Sequence, residues 1–265
     1  MDQSLAIQFN QIDTWTKYAF HIHRYTKILY EPLFRGQGNK FRGAGCTDSG
    51  WRLEPSLYRK PKTSHPRFID CVKAILKDNK CQSLIAKAVG RNLNKDVEAD
   101  RELLIGLMRH LGFQTPLLDW TKNPFVAAYF AFRNIHEDSD EVSIFVFDQK
   151  AWLNNQNPLT SRDLNILKLQ ELEHIIPRQK TQESVYVYSR AEEIFSELLG
   201  DELEGKNYFI AYCTLSIHDR KKVLNDLREM DIYYDKLFPD EKKVEEMKRS
   251  IDDAMKDLLN FNNST

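Results

Sequence analysis

Three short stretches of this chain carry side chains that chemistry could use. The first repeats a triplet, Phe34-Arg35-Gly36 and then Phe41-Arg42-Gly43. An arginine held by a short strand and followed by glycine can set its planar fork beside a phosphate or a ribose while the backbone approaches closely. The second runs from His110 to Phe132, HLGFQTPLLDWTKNPFVAAYFAF. It crowds Gly112, Thr115, Pro116, Asp119, Thr121, Asn123 and Pro124 into what reads as a rigid loop, which feeds an apolar helix with small residues at Ala127, Ala128 and Ala131. A rigid loop ahead of a buried helix is a common way to hold polar groups over a site. In the third, Arg178 to Tyr186, a polar run enters a strand. There Gln182 or Glu183 could polarise a sugar hydroxyl or stabilise a cationic sugar centre.

Each stretch also has a plainer reading. Either triplet arginine can be a surface charge. Asp119 can brace a turn by accepting backbone N–H groups, and Thr121 can cap the next helix. Glu183 can be an exposed loop residue. His110 suits the negative end of a helix dipole. His21 and His23 fall on different faces of a helix and make a poor metal pair. No HExxH, P-loop, GxSxG or GxGxxG occurs, and no metal site is expected.

Composition narrows the classes. The chain has 265 residues, 42% of them apolar, enough for one large domain or two small ones. A formal net charge of −1 excludes a global basic field of the kind that announces a nucleic-acid binder. The cysteines, Cys46, Cys71, Cys81 and Cys213, form no CxxC pair, which points to a reduced, cytoplasmic protein. The N-terminus lacks the pattern of a signal peptide, and no apolar run approaches the roughly 20 residues of a membrane span.

The elements that must position these residues read as follows. Helical spacing covers residues 5 to 30, 66 to 90, 96 to 111 and 218 to 228, and an amphipathic stretch fills 241 to 259. Pro124 opens a helix to Arg133, where its missing N–H costs nothing. Residues 31 to 50 are Gly-rich, with a short strand expected across Lys40 to Gly43. Strands are expected at 142 to 148, 184 to 189 and 207 to 216. Helices come first and mixed elements follow, without βαβ alternation, so the fold class is α+β around a single mixed or antiparallel sheet. An N-terminal helical segment, 1–35, is expected to precede a domain at 36–265 that ends in helices.

In this order the motifs resemble the FRG domain family. The family joins a Phe/Tyr-Arg-Gly triplet to Trp-x-Leu-x-Pro-Ser-Leu-x-Arg, matched by Trp51, Leu53, Pro55, Ser56, Leu57 and Arg59. Its central block is matched from His110 through Asp119, Trp120, Thr121, Asn123 and Pro124. A late Arg-x-x-x-Gln-x-Gly-x-Phe segment is matched by Arg178, Gln182 and Tyr186, with Ser184 in place of the glycine, and Leu237-Phe238-Pro239-Asp240 resembles the closing motif. Because Arg42 lies nearer Trp51, the family triplet is assigned to Arg42 and Gly43, with Arg35 left as a decoy or a second contact.

The family's motifs parallel those of Arg–Ser–Glu ADP-ribosyltransferases, whose split-sheet fold the domain is then expected to share. That resemblance implies NAD as cofactor. It implies Arg42 on the phosphate and ribose, Thr121 with Asp119 behind it at the nicotinamide end, and Glu183 as the carboxylate that stabilises the oxocarbenium-like transition state. Gly43, Trp51, Arg59, His110 and Gln182 complete the expected cofactor site. It implies a toxin or antiphage-defence effector acting on RNA, DNA or protein, with a neutralising antitoxin as a further partner. A non-catalytic module that binds a nucleotide or a protein is the alternative. A nuclease or hydrolase using Asp119 and His110 ranks last.

Overall fold

The computed structural model describes residues 1, 3–40, 53–59, 65–137, 139–154, 164–190 and 209–260. In chain order these form α1 (Gln3–Asn10), α2 (Trp15–Ile28), β1 (Leu33–Gln37), α3 (His65–Lys77), α4 (Asn79–Val89), α5 (Glu98–His110), β2 (Leu117–Thr121) and α6 (Pro124–Arg133). There follow β3 (Glu141–Phe147), α7 (Gln149–Leu153), β4 (Leu164–Leu167), α8 (Gln170–Ile175), α9 (Arg178–Thr181), β5 (Ser184–Ser189) and β6 (Ile210–Ser216). A 3₁₀ turn at Ile217–Asp219 leads to α10 (Arg220–Glu229), α11 (Tyr234–Leu237) and α12 (Glu241–Asn260).

The strands make one sheet in the order β4-β5-β2-β1-β3-β6, antiparallel at every pairing. The class is therefore α+β, with the antiparallel option realised. Alternation along the strands divides the core. On one face Phe34, Val146 and Ile144 pack beneath α1, α2, α6 and α10, while Leu117, Tyr186 and Tyr188 pack beneath α3, α4, α5 and α8. Leu33, Leu118, Trp120, Phe145, Phe147 and Val187 form the core of the opposite face.

The two central strands barely pair. β1 is registered on β3 from Leu33 to Gln37, but on β2 only through Phe34 and Thr121.

Several expectations are corrected. The run at 115 to 121 is not a rigid loop over a site: its core is β2, a central strand paired along its length with β5. The Gly-rich stretch contains β1. Lys40 lies in no strand, and residues 41–43 fall outside the described residues. The helical stretch at 5 to 30 breaks where Thr14 caps α2, and that at 66 to 90 breaks where Asp78 caps α4. The expected boundary between residues 35 and 36 falls inside β1. The N-terminal helices share the core of the sheet, with Trp15 Nε1 donating to Asp226 at 2.7 Å and the Tyr18 hydroxyl donating to the Pro124 carbonyl at 2.9 Å. Among the described residues no helix is long and apolar enough to cross a membrane.

Candidate functional site

A cavity of about 450 Å³ opens where β1 and β2 part, between the end of α5 and the flank of α6. Two glycines decide how close its walls come. A Cβ on Gly36 would lie 1.8 Å from the Ala127 carbonyl oxygen and 2.7 Å from the Ala131 nitrogen. The glycine of the first triplet is there because α6 lies directly on β1, and Ala127, Ala128 and Ala131 are small for the same contact. At the other wall α5 is stopped by Gly112 in the left-handed region, at φ 85°. Phe113 N–H returns to the Met108 carbonyl at 3.0 Å, a Schellman ending that leaves Arg109 and His110 over β2.

Arg35, Arg109 and Arg178 line the cavity, and Asp119 is the carboxylate among the lining residues. Arg109 grips Asp119 in a fork, with Nε at 3.2 and 3.0 Å from the two carboxylate oxygens and Nη2 on Oδ2. Burial pushes Asp119 up, but the charge and hydrogen bonds of Arg109 outweigh it and bring its pKa down to about 2. The Asp119 side chain remains 41% exposed because it faces the open cavity. The expectation that Asp119 braces a turn through backbone N–H groups gives way to this ion pair.

Arg178 is paired as well, with Nε 2.8 Å from Asp240 Oδ1 in a buried contact. Arg35 is different. Its Nη1 donates to the Asp119 carbonyl across the gap between the strands at 2.7 Å. Among the described residues it has no ion pair, and its buried Nε has no hydrogen-bond partner. Burial lowers its pKa to about 10, with Asp119 opposing and the charges of Arg109 and Arg59 adding to the fall. The buried indole Nε1 of Trp120, also a lining residue, is a second donor without a partner. Buried polar groups are almost always satisfied, so the unpartnered Nε of Arg35, on a residue that lines the cavity, is an exception that calls for a cause.

The remaining sequence candidates fall into two groups. Arg42, Gly43 and Trp51 lie outside the described residues. Arg59 is exposed and donates to the Glu54 carbonyl at 3.2 Å. Ser56, three residues before it, ties this segment to the site: its hydroxyl accepts from Thr115 N–H at 3.2 Å and lies 3.5 Å from Arg109 Nη1. Thr121 lines the cavity, but its hydroxyl donates to the Gln182 carbonyl at 2.7 Å and accepts from Asn123 N–H at 3.0 Å. It does not cap α6. Asn123 does, accepting from Phe125 and Val126 N–H. Gln182 also lines the cavity, with Nε2 committed to the Leu237 carbonyl at 2.8 Å. Glu183 is exposed, stands at φ 48° and accepts from Asn123 Nδ2 at 3.0 Å. It is absent from the cavity wall, although its neighbours Gln182 and Ser184 belong to it.

His110 is not a cation on the helix dipole. Burial, the first cause, lowers its pKa to about 4. Nε2 meets the Tyr186 hydroxyl at 2.5 Å and the Gln179 carboxamide. The unfolded chain then binds a proton near the ordinary pH 6.5 that the folded chain refuses until about pH 4. Stability should therefore rise with pH from about 4 to about 6.5, by about 3 kcal/mol over the window. Urea denaturation at stepped pH checks this, and His110→Asn should flatten that part of the curve.

Two distant motifs interlock behind the cavity. Besides the Arg178–Asp240 pair, Arg178 N–H donates to Asp240 Oδ2 at 3.3 Å, and the side chains of Gln182 and Thr181 both reach the Leu237 carbonyl. Asp240→Ala strands a buried guanidinium and should cost about 3–5 kcal/mol of stability. The pairing Arg178→Met with Asp240→Leu should recover most of it. A loss under about 1 kcal/mol for Asp240→Ala, by urea denaturation, would contradict the clamp.

The sequence reading passed over Arg109, whose one signal was a basic residue beside the first residue of the central block. The ion-pair role of Asp240 likewise had no signal in the sequence, and the close backbone approach expected at the triplet glycine is made at Gly36 by α6 rather than by a ligand. No curated relative and no solved structure matches the chain. Residues 33–140, from β1 with its triplet through α6 and up to β3, match the model of the FRG domain.

Proposed function

We propose that the cavity binds a phosphate-bearing ligand, NAD first among the candidates, with Arg35 as its anchor. One observation carries this reading. Arg35 is a half-buried guanidinium whose buried Nε is unpaired, in a cavity whose carboxylate, Asp119, is already held by another arginine. Leaving a charge uncompensated in a protein interior is unfavourable, and a phosphate supplies both the charge and the acceptor geometry it lacks. A cavity of about 450 Å³ lies within the roughly 300–1,000 Å³ usual for small-molecule sites.

ADP-ribosyl transfer is the more specific form of this reading, and strand adjacency favours it. Glu183 directly precedes β5, Thr121 ends β2 and Arg35 stands on β1, three neighbours in the sheet. Arg35 then takes the phosphate role that the resemblance gave to Arg42. Glu183 exchanges its bond to Asn123 for a ribose hydroxyl and stabilises positive charge as the bond to nicotinamide breaks. The bonding electrons leave with nicotinamide, and a nucleophile of an RNA, DNA or protein acceptor takes the ADP-ribosyl group. The acid–base reading of Asp119 and His110 has little support, because one is held ionised and the other neutral far from the pH where a general base works.

The test is NAD titration by calorimetry, together with chromatography of nicotinamide in the presence of cell lysate. Transfer predicts nicotinamide release that Glu183→Gln abolishes while NAD affinity stays unchanged. NAD binding without release assigns a binding module instead, and absence of NAD binding removes NAD as the ligand.

A further inference from the structure

The anion-binding reading leaves one part of the cavity unused. Phe130 lines it from α6 and is only half-buried. Its ring is set edge-on by two neighbours, Tyr129 at 5.8 Å and 76° and Phe238 at 6.0 Å and 80°. Phe238 is already occupied: Tyr234 stacks on it at 4.9 Å, and the guanidinium groups of Arg133 and Arg178 lie over its ring at 4.8 and 5.5 Å. Phe130 is thus a braced aromatic ring, still partly open, in a cavity that also presents three guanidinium groups. A seat for phosphate alone gains nothing from such a ring, since apolar surface facing water is unfavourable.

We propose that Phe130 is the platform for a planar aromatic ring of the ligand, so that the cavity selects nucleotides over sugar phosphates. This rests on the anion-binding reading, with the arginines taking the phosphate and Phe130 the base. Stacking of a base on an aromatic side chain corresponds to about a tenfold gain in affinity or more.

Calorimetry on the whole chain with AMP, ribose 5-phosphate and inorganic pyrophosphate tests it, because the first two differ only by the ring. AMP should bind at least about tenfold tighter than ribose 5-phosphate. Phe130→Ala should bring AMP down to the level of ribose 5-phosphate without changing the latter, and Phe130→Trp should keep the preference. Equal affinity of the wild type for AMP and ribose 5-phosphate overturns the platform while leaving the anion site standing. No binding of any of the three, pyrophosphate included, overturns the anion site and the platform with it. The wild-type comparison needs no variant to fold.

Discussion

Gly36→Ala should destabilise the protein by about 3 kcal/mol or more, a large part of the roughly 5–15 kcal/mol that holds a typical domain folded. The added methyl meets no flexible side chain that can swing aside. It meets the α6 backbone, 1.8 Å from the Ala127 carbonyl oxygen and 2.9 Å from its carbon. Relief requires α6 to lift off β1, which opens the core around Phe34, Val126 and Phe132 and separates the two walls of the cavity. Gly90→Ala is the natural control. Gly90 has nothing within 4 Å of the added carbon, and only its φ of 87° resists the change, so the expected cost is about 1 kcal/mol. Urea denaturation of both variants decides the matter. Equal small losses would mean that α6 does not rest on β1 as described.

α6 was readable from Asn123 and Pro124 alone, and β3 and β5 from their β-branched and aromatic runs. β1 and β2 were not, because the cavity imposes its own residues on them. Arg35 and Gly36 make a central strand look like a Gly-rich loop, and Asp119 and Thr121 between turn-forming neighbours hide another. The breaks in the long helices were written in Thr14 and Asp78, polar caps that a count of apolar spacing passes over. Proximity in sequence favoured Arg42 for the anion role; Arg42 lies outside the described residues, and Arg35 is the triplet arginine seen to line the cavity. Arg178 and Asp240 are 62 residues apart, and no local pattern announces such a pair. Glu183 was singled out for its charge, and only the fold shows its carboxylate on Asn123.

The second large effect concerns Arg35. Replacing it with methionine keeps the volume and removes a half-buried charge that Asp119 attracts and Arg109 and Arg59 repel, at the cost of one hydrogen bond to the Asp119 carbonyl. The free protein should then melt at about the same temperature as the wild type or higher, because the desolvation and repulsion relieved offset the lost bond to the Asp119 carbonyl and the Arg109–Asp119 pair stays intact. Affinity for phosphate-bearing ligands should fall by at least about a hundredfold, the scale of losing a charge-assisted pair in a desolvated site. A residue kept for structure would show the opposite pattern, with stability lost and ligand response unchanged.

Thermal melting with and without saturating pyrophosphate or NAD, for the wild type and for Arg35→Met, tests the central claim most directly. Ligand at a hundred times its dissociation constant adds about 2.7 kcal/mol to the folded state. The account predicts a clear upward shift of the wild-type melting temperature and none for Arg35→Met, whose unliganded melting temperature is no lower than that of the wild type. Equal shifts in both proteins, or none in the wild type with either ligand, would contradict it.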